Sequence, residues 1–179
     1  MKTLIKIPLL FIFIIFQFYS CSKKVNIEGN DMSGKLEGNW HVEIYEYEGS
    51  TTSILQNDIW RTQFNGFGWN MDITMVFSEK PNNYSLIGDY FVDHFFTNRD
   101  GVETMHFAVL ETNQLGTWTR NGNIVELIID GENKRSFISE LTDISLTLKI
   151  NSNNTETESD GTITTTDITE TYILERNNN

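Results

Sequence analysis

The sequence predicts an all-β domain in which an antiparallel up-and-down meander closes into a barrel of eight or nine strands. Short runs of β-branched and aromatic residues recur between clusters of Gly, Asn and Asp, at a spacing of roughly 8 to 12 residues that is typical of all-β sandwiches and barrels. No long segment shows helical periodicity. A meander of about eight strands has the right number for closure, and closure removes the exposed edges of an open sheet.

The first predicted strand covers residues 40–47. Alternation places Trp40, Val42 and Ile44 on one face of this strand. Tyr45 is then expected on the opposite face. The later predicted strands cover residues 71–77, 84–96, 102–111, 116–120, 123–129, 136–141, 144–150 and 163–176.

Two segments do not follow this pattern. Residues 49–70 fit it least well, and the part from Ile54 to Phe64 could be a short helix, a strand or a lid. Residues 151–161 are polar throughout, so we expect a solvated loop there.

The turns predict how neighbouring strands pair. Gly88, inside a long strand, predicts a bulge or a barrel corner. A three-residue loop that ends on a left-handed Gly101 would make the strands before and after it an antiparallel pair. Asn121-Gly122 is the strongest hairpin signal, and as a two-residue turn it would place Trp118 opposite Val125.

Motifs at the two ends of the predicted domain carry a family resemblance. Leu36-Glu37-Gly38-Asn39-Trp40 resembles the opening Gly-x-Trp element of lipocalins, and Tyr172-x-Leu174-x-Arg176 is similar to the last strand of small bacterial lipocalin-like domains. The resemblance covers residues 36–176 and implies a lipocalin-like barrel. It also implies a barrel base built from Gly38, Trp40 and Arg176, with the Arg176 side chain over the Trp40 ring in a cation–π contact.

The N-terminus predicts a lipoprotein precursor. Two lysines and an apolar run of ~15 residues have the order of a secretory signal, which we assign to residues 1–20. Cys21 is the single cysteine of the chain, so it cannot form an internal disulfide. Phe18-Tyr19-Ser20-Cys21 resembles the bacterial lipobox, which implies that Cys21 carries the lipid. The polar composition of residues 22–35 predicts that residues 21–35 are a flexible tether. The alternative is a free thiol beside an uncleaved anchor.

Charge and flanking residues bear on partners and location. The formal net charge of −12 disfavours binding to nucleic acid and to anionic headgroups, so the lipid is the expected membrane contact. Ser22 is not the Asp that retains some lipoproteins at the inner membrane, which favours the outer membrane of the cell envelope by resemblance to that sorting rule. Lys23 and Lys24 favour the periplasmic side. We expect a monomer.

The histidines allow a metal hypothesis. If Gly101 ends a three-residue loop, the register places His94 directly opposite His106. With Asp89 or Asp93 nearby, such a pair could hold a metal such as zinc. The preferred interpretation is that these are ordinary strand residues.

Function is not disclosed by any motif, and three hypotheses remain open. The chain shows no nucleophile elbow, phosphate loop or metal-binding His pair at helical spacing, so we expect no enzyme and no cofactor. The first hypothesis is a binding module that holds a small apolar ligand in the barrel mouth. The second is a non-catalytic envelope interaction or structural protein with a filled barrel, and the third is an enzyme. The ligand-binding candidates are Trp60, Phe67, Trp69, Tyr90, Phe95 and Trp118.

Overall fold

The computed structural model describes residues 31–97, 101 and 103–177, without the side chains of 103–110. Within that part of the chain, eight antiparallel strands form a closed barrel in sequence order, with β8 paired to β1. The predicted fold class is confirmed. No helix among the described residues has the length and apolar character needed to span a bilayer. The strands are β1 Gly38–Leu55, β2 Asp58–Ser78, β3 Asn83–Thr97, β4 Glu103–Asn121, β5 Ile124–Ile129, β6 Glu132–Leu141, β7 Ser145–Thr157 and β8 Ile163–Arg176.

Several strands are longer than predicted. Residues 49–70 are strand except for the turn at Gln56 and Asn57, so the helix and lid alternatives are wrong. β4 is one strand where the sequence suggested two, and β7 includes residues 151–157 of the expected polar loop. The missed segments are rich in Ser, Thr and Asn. Polar side chains therefore occur on both of their faces, and the alternation on which the prediction depended is absent.

The register differs from expectation at two places. Asn121 pairs with Ile124 and Trp118 with Leu127, so the predicted Trp118–Val125 pair is wrong. The turn residues are Gly122 and Asn123, and a φ of 64° at Gly122 suits the first position of a type II′ turn. Because the shift is two residues, every side chain keeps its predicted face.

A bulge in β1 reverses the predicted faces beyond Val42. The pairing of β1 with β8 shifts between Val42 and Ile44. Ile44 is consequently 42% exposed whereas Tyr45 is 7% exposed and faces the interior. The expectation that Ile44 shares a face with Trp40 is therefore wrong, since one extra residue moves every later side chain to the other face.

Gly88 has an unusual backbone conformation, although its pairing with β2 and β4 is in register, so no bulge lies at this residue. Its φ is 141°, and a Cβ there would lie 1.8 Å from the carbonyl oxygen of Asp72, which leaves room for glycine alone. The register of β2 against β3 shifts between Trp69 and Asp72, opposite Tyr90, whereas Gly88 pairs with Ile73 outside that shift. Gly101 has the left-handed φ of 72° that the loop prediction required.

The hydrophobic core fills one half of the barrel, which we call the closed half. Its inward side chains are almost fully buried, among them Phe77, Leu127 and Leu148 at 0–1% exposure. Trp118 also lies there, with its indole N–H donating to the Ser78 carbonyl at 3.0 Å. Interiors of small barrels are filled by side chains in this way.

Arg176 and Trp40 close the base of this half. The Arg176 guanidinium carbon lies 4.1 Å from the centre of the Trp40 ring, the arrangement that the lipocalin resemblance implied. The guanidinium also donates to the carbonyls of Asp143 at 2.6 Å, Glu37 at 2.7 Å and Lys35. The Trp40 indole donates to the Leu36 carbonyl at 2.9 Å.

The segment before β1 belongs to this base. The backbone N–H of Leu141 donates to Asp31 at 2.7 Å, and the N–H of Gly34 donates to Leu141 at 2.9 Å. Residues 31–35, which the sequence assigned to the tether, are thus hydrogen-bonded to β6. The predicted signal and Cys21, the predicted lipidation site, lie outside the described residues.

Candidate functional site

The barrel is open at the end opposite Trp40. Strands β1 to β4 and β7 to β8 continue past the short hairpin of β5 and β6. The pairing of β4 with β5 begins only at Gly116. We call this part the open half. Its inward side chains are only partly buried, in contrast to those of the closed half. The open half is therefore where a ligand can reach the inward face.

A carboxylate lies at the floor of the open half. Glu170 on β8 faces inward opposite Tyr47, and its Oε1 accepts hydrogen bonds from the hydroxyls of Tyr45 at 2.9 Å and Tyr172 at 3.2 Å. The Tyr45 ring lies 4.8 Å from that of Tyr172 and 5.5 Å from that of Tyr90. The sequence contains six tyrosines, and all except Tyr19 cluster on this inward face.

Burial keeps these tyrosines protonated. Desolvation, followed by the charge of Glu170, raises the pKa of Tyr45 well above its usual value of 10.0. The same two causes raise the pKa of Tyr172 and Tyr90. Desolvation, with a smaller contribution from Tyr90, raises the pKa of Tyr47 to about 12. At neutral pH these tyrosines are therefore hydroxyl donors, and those of Tyr45 and Tyr172 donate to Glu170.

An aromatic layer lies beside Glu170 and continues towards the rim. The Tyr47 hydroxyl is hydrogen-bonded to Nδ1 of His94, and the two rings stack with centres 5.4 Å apart. Phe64 lies 5.5 Å from His94, and Phe96 lies 4.1 Å from it on the other side. These four side chains remain partly exposed.

Two glycines make room for the aromatic layer. Tyr47 pairs with Gly66 across β1 and β2, and Gly49 pairs with Phe64. A Cβ on Gly66 would lie 2.4 Å from Cζ of Tyr47, and one on Gly49 would lie 2.6 Å from Cζ of Phe64. Aromatic rings lying over cross-strand glycines are a known device of sheets. This reciprocal spacing is a signal that the sequence analysis missed.

Hydroxyls line the inward face beyond the rings. Thr51 is 3.3 Å from Thr166 and Ser53 is 3.1 Å from Thr164, measured between the side-chain oxygens. These pairs join β1 to β8 near the rim of the barrel. The inward face thus changes from apolar to aromatic to hydroxyl-bearing towards the opening.

The six predicted ligand-binding residues do not lie together. Tyr90 faces inward beside Tyr45, and Trp60 lies near the rim with 40% exposure. Trp118 belongs to the closed half and is 5% exposed, so it does not line the opening.

Three of the six point to the outside. The Phe67 and Phe95 rings stack 6.0 Å apart on the outward face, and Trp69 stacks on Phe91 at 4.6 Å. The prediction that Phe67, Trp69 and Phe95 line the barrel mouth is wrong. The face on which each of these side chains lies depends on the strand bounds and bulges, and apolar patterning alone did not define them.

The predicted histidine pairing is present in the backbone. His94 pairs with His106 in the register of β3 and β4, although the side chain of His106 lies outside the described residues. Asp89 and Asp93 are on the outward face, and Asp93 accepts a hydrogen bond from the Trp69 indole at 3.0 Å. They are therefore separated from inward-facing His94. In the part of the chain described, no three His, Cys, Asp or Glu side chains form a metal-binding group.

Comparison with known families agrees with the fold. The model of the lipocalin-like domain matches residues 36–148. The chain belongs to this family of lipocalin-like domains. No curated protein and no solved structure matches the chain. The matched region contains Trp40 and the aromatic layer, whereas β8 with Glu170 and Arg176 follows it.

Proposed function

We propose that this protein is a membrane-anchored binding module whose open half holds one small molecule. The ligand would lie against the aromatic layer of Tyr47, Phe64, His94 and Phe96, with the hydroxyls of the rim around it. An apolar wall with a few fixed polar groups is the usual composition of small-molecule sites. The sequence predicts a small apolar ligand, and the inward polar groups support a more specific proposal.

The carboxylate of Glu170 is the observation that carries this proposal. Placing a carboxylate inside a barrel costs free energy unless hydrogen bonds compensate it, and an apolar side chain would fill the space at lower cost. Two tyrosine hydroxyls supply that compensation. We infer that the ligand has a flat apolar body and a cationic or hydrogen-bond-donating group directed at Glu170.

The anchor forms the second part of the proposal. Cys21 would carry the lipid after removal of residues 1–20, and more than one acyl chain gives stable membrane attachment. The −12 charge of the chain supports attachment through lipid in preference to headgroup contacts. We propose an outer-membrane location facing the periplasm. Radiolabelled fatty acid should label the wild-type protein but not a Cys21→Ser variant, and equal labelling of both would contradict the anchor.

Ligand binding is tested by native mass spectrometry of the protein purified from its own host. A co-purified small molecule, lost in a Glu170→Gln variant, is the expected result. Glu126→Gln provides the matched control, since Glu126 is exposed on β5. Retention of the same mass in Glu170→Gln would contradict the role of the carboxylate.

A second candidate function follows from how closely the rings pack. The contacts of 4.1 to 5.5 Å among His94, Phe96 and Phe64 also suit a filled barrel that acts through its outer surface on another envelope protein. A series of amphipathic amines that fails to bind, with tyrosine fluorescence unchanged, would favour this candidate. Saturable quenching would favour the binding module.

A further inference from the structure

The outward face of the open half carries a broad polar groove. Two adjoining cavities of about 710 and 740 Å³ lie there, and both are lined by Glu48, Asn65, Phe95 and Thr97. The residues that line the cavity of about 710 Å³ come from β1, β2, β3, β7 and β8. At a strand spacing of ~4.8 Å, the five strands extend ~19 Å measured along the curved sheet. Most of its lining residues lie on the opposite side of the sheet from Glu170. Six residues of the inward face also border it: Tyr47, Gly49, Phe64, Gly66, Ser152 and Ile168.

The groove is built from continuous rows of paired residues. Asn151, Thr169, Glu48, Asn65 and Phe95 are successive partners across the five strands. Since paired residues share a face, these five side chains form one line on the outside of the barrel. The row offers two amides, a hydroxyl, a carboxylate and an aromatic ring.

A neighbouring row has the same chemistry. Asn153, Asp167, Ser50, Gln63 and Thr97 are paired in the same way. The Asn153 amide donates to Asp167 at 2.5 Å, which holds both side chains in place. Every side chain of this row can donate or accept a hydrogen bond, so the groove presents both functions at closely spaced positions.

Aromatic rings form one edge of the groove. Phe95 stacks on Phe67 with ring centres 6.0 Å apart, and Phe67 is 42% exposed. Trp69 and Phe91 continue this surface along the two strands. Exposed aromatic side chains beside a polar surface mark a binding site more often than chance exposure does.

The charge of the groove limits the ligand class. Glu46, Glu48 and Asp167 line the cavities, and Lys149 is the basic residue among their lining side chains. Phosphate, sulfate and carboxylate ligands are therefore repelled. A ligand with many hydroxyls and no negative charge fits the amides and carboxylates, and its C–H faces fit the rings.

We propose that this outer groove binds a neutral oligosaccharide, independently of the ligand in the open half. Sugar hydroxyls would be shared between Asn65, Glu48 and the second row, while the C–H face of one sugar ring would stack on Phe95. The width of five strands accommodates several sugar units. The site places a saccharide on the outside of a barrel whose interior is a separate site.

The test uses the full mature chain in a detergent without a sugar headgroup. Neutral hexasaccharides of glucose, galactose, mannose and N-acetylglucosamine are titrated by calorimetry, with hexalysine as a separate probe. We expect one saccharide to bind, and Phe95→Ala and Asn65→Ala each to weaken it at least tenfold. Ile87→Ala is the matched control, because Ile87 is 48% exposed on β3 outside the groove, and it should bind as the wild type does.

Three results would overturn the proposal. They are no binding of any of the four hexasaccharides, saccharide binding that Phe95→Ala leaves unchanged, and binding of hexalysine alone, which would identify a cationic peptide site. Glu170→Gln separates this proposal from the interior site. It should leave saccharide affinity unchanged even where it removes the interior ligand.

Discussion

Replacing Arg176 by alanine should destabilise the barrel by about 3 kcal/mol. The change removes a cation–π contact with Trp40, worth ~0.5 to 2 kcal/mol. It also removes three hydrogen bonds to backbone carbonyls, of which two are exposed and one is part-buried, so we count ~1 kcal/mol or less for each. Because these contacts share one guanidinium, their sum is an upper limit. For a domain of this size the melting temperature should fall by roughly 10 °C.

Urea unfolding followed by circular dichroism measures this loss, and two further variants test its cause. Arg176→Lys keeps the charge but cannot reach three carbonyls with a planar fork, so we expect it to restore less than half of the stability. Arg61→Ala is the control, because Arg61 is exposed on β2 and its loss should change stability by less than ~0.5 kcal/mol. A loss below 1 kcal/mol in Arg176→Ala, or equal stability of the Ala and Lys variants, would refute the reasoning.

Three other predictions concern the inward face. Folding raises the pKa of the tyrosines, so they ionise first in the unfolded state. The free energy of unfolding should therefore fall as the pH rises from 10 towards 12, the pKa of Tyr47. Urea unfolding at a series of pH values, with tyrosinate absorbance, measures this fall. Ser136→Ala should increase stability by up to ~1 kcal/mol in urea unfolding, because its buried hydroxyl has no hydrogen-bond partner in the described residues; a loss would show that the hydroxyl is satisfied. Gly66→Ala should displace the Tyr47 ring, seen as a changed His94 chemical shift, and an unchanged spectrum would disprove the close contact.

The closed half was predictable from sequence because one face of each strand is apolar there. The predicted run 71–77 lies inside β2, the run 144–150 lies in β7 except for its first residue, and the Gly-x-Trp element indicated the base of the barrel. The contact between Trp40 and Arg176 joins residues at the two ends of the domain, and the lipocalin resemblance supplied it. Physical patterning and family resemblance therefore contributed different parts of the fold.

The candidate site was much less predictable, and bulges are the main reason. One extra residue near Glu43 brings Tyr45 and Tyr47 to the inward face, and the shift between Trp69 and Asp72 changes the parity of β2. Neither is visible as apolar alternation. Glu170 was also missed, because a carboxylate in a polar strand resembles an ordinary solvent-facing residue until its tyrosine partners are known.

Both proposed sites depend on the same stretch of sheet, which explains why the open half is polar on two faces. Tyr47 and Glu48 are consecutive in β1 and both border the second outer cavity, yet the Tyr47 hydroxyl contacts His94 on the inward face whereas the Glu48 side chain lies on the outward face. A strand that contacts a ligand on each face has neither a core face nor a solvent face, so its residues do not alternate between apolar and polar. Gly66 and Asn65 repeat this division on β2. If both proposals hold, two binding surfaces account for the loss of alternation in residues 49–70. The almost fully buried core that stabilises the barrel lies in the closed half.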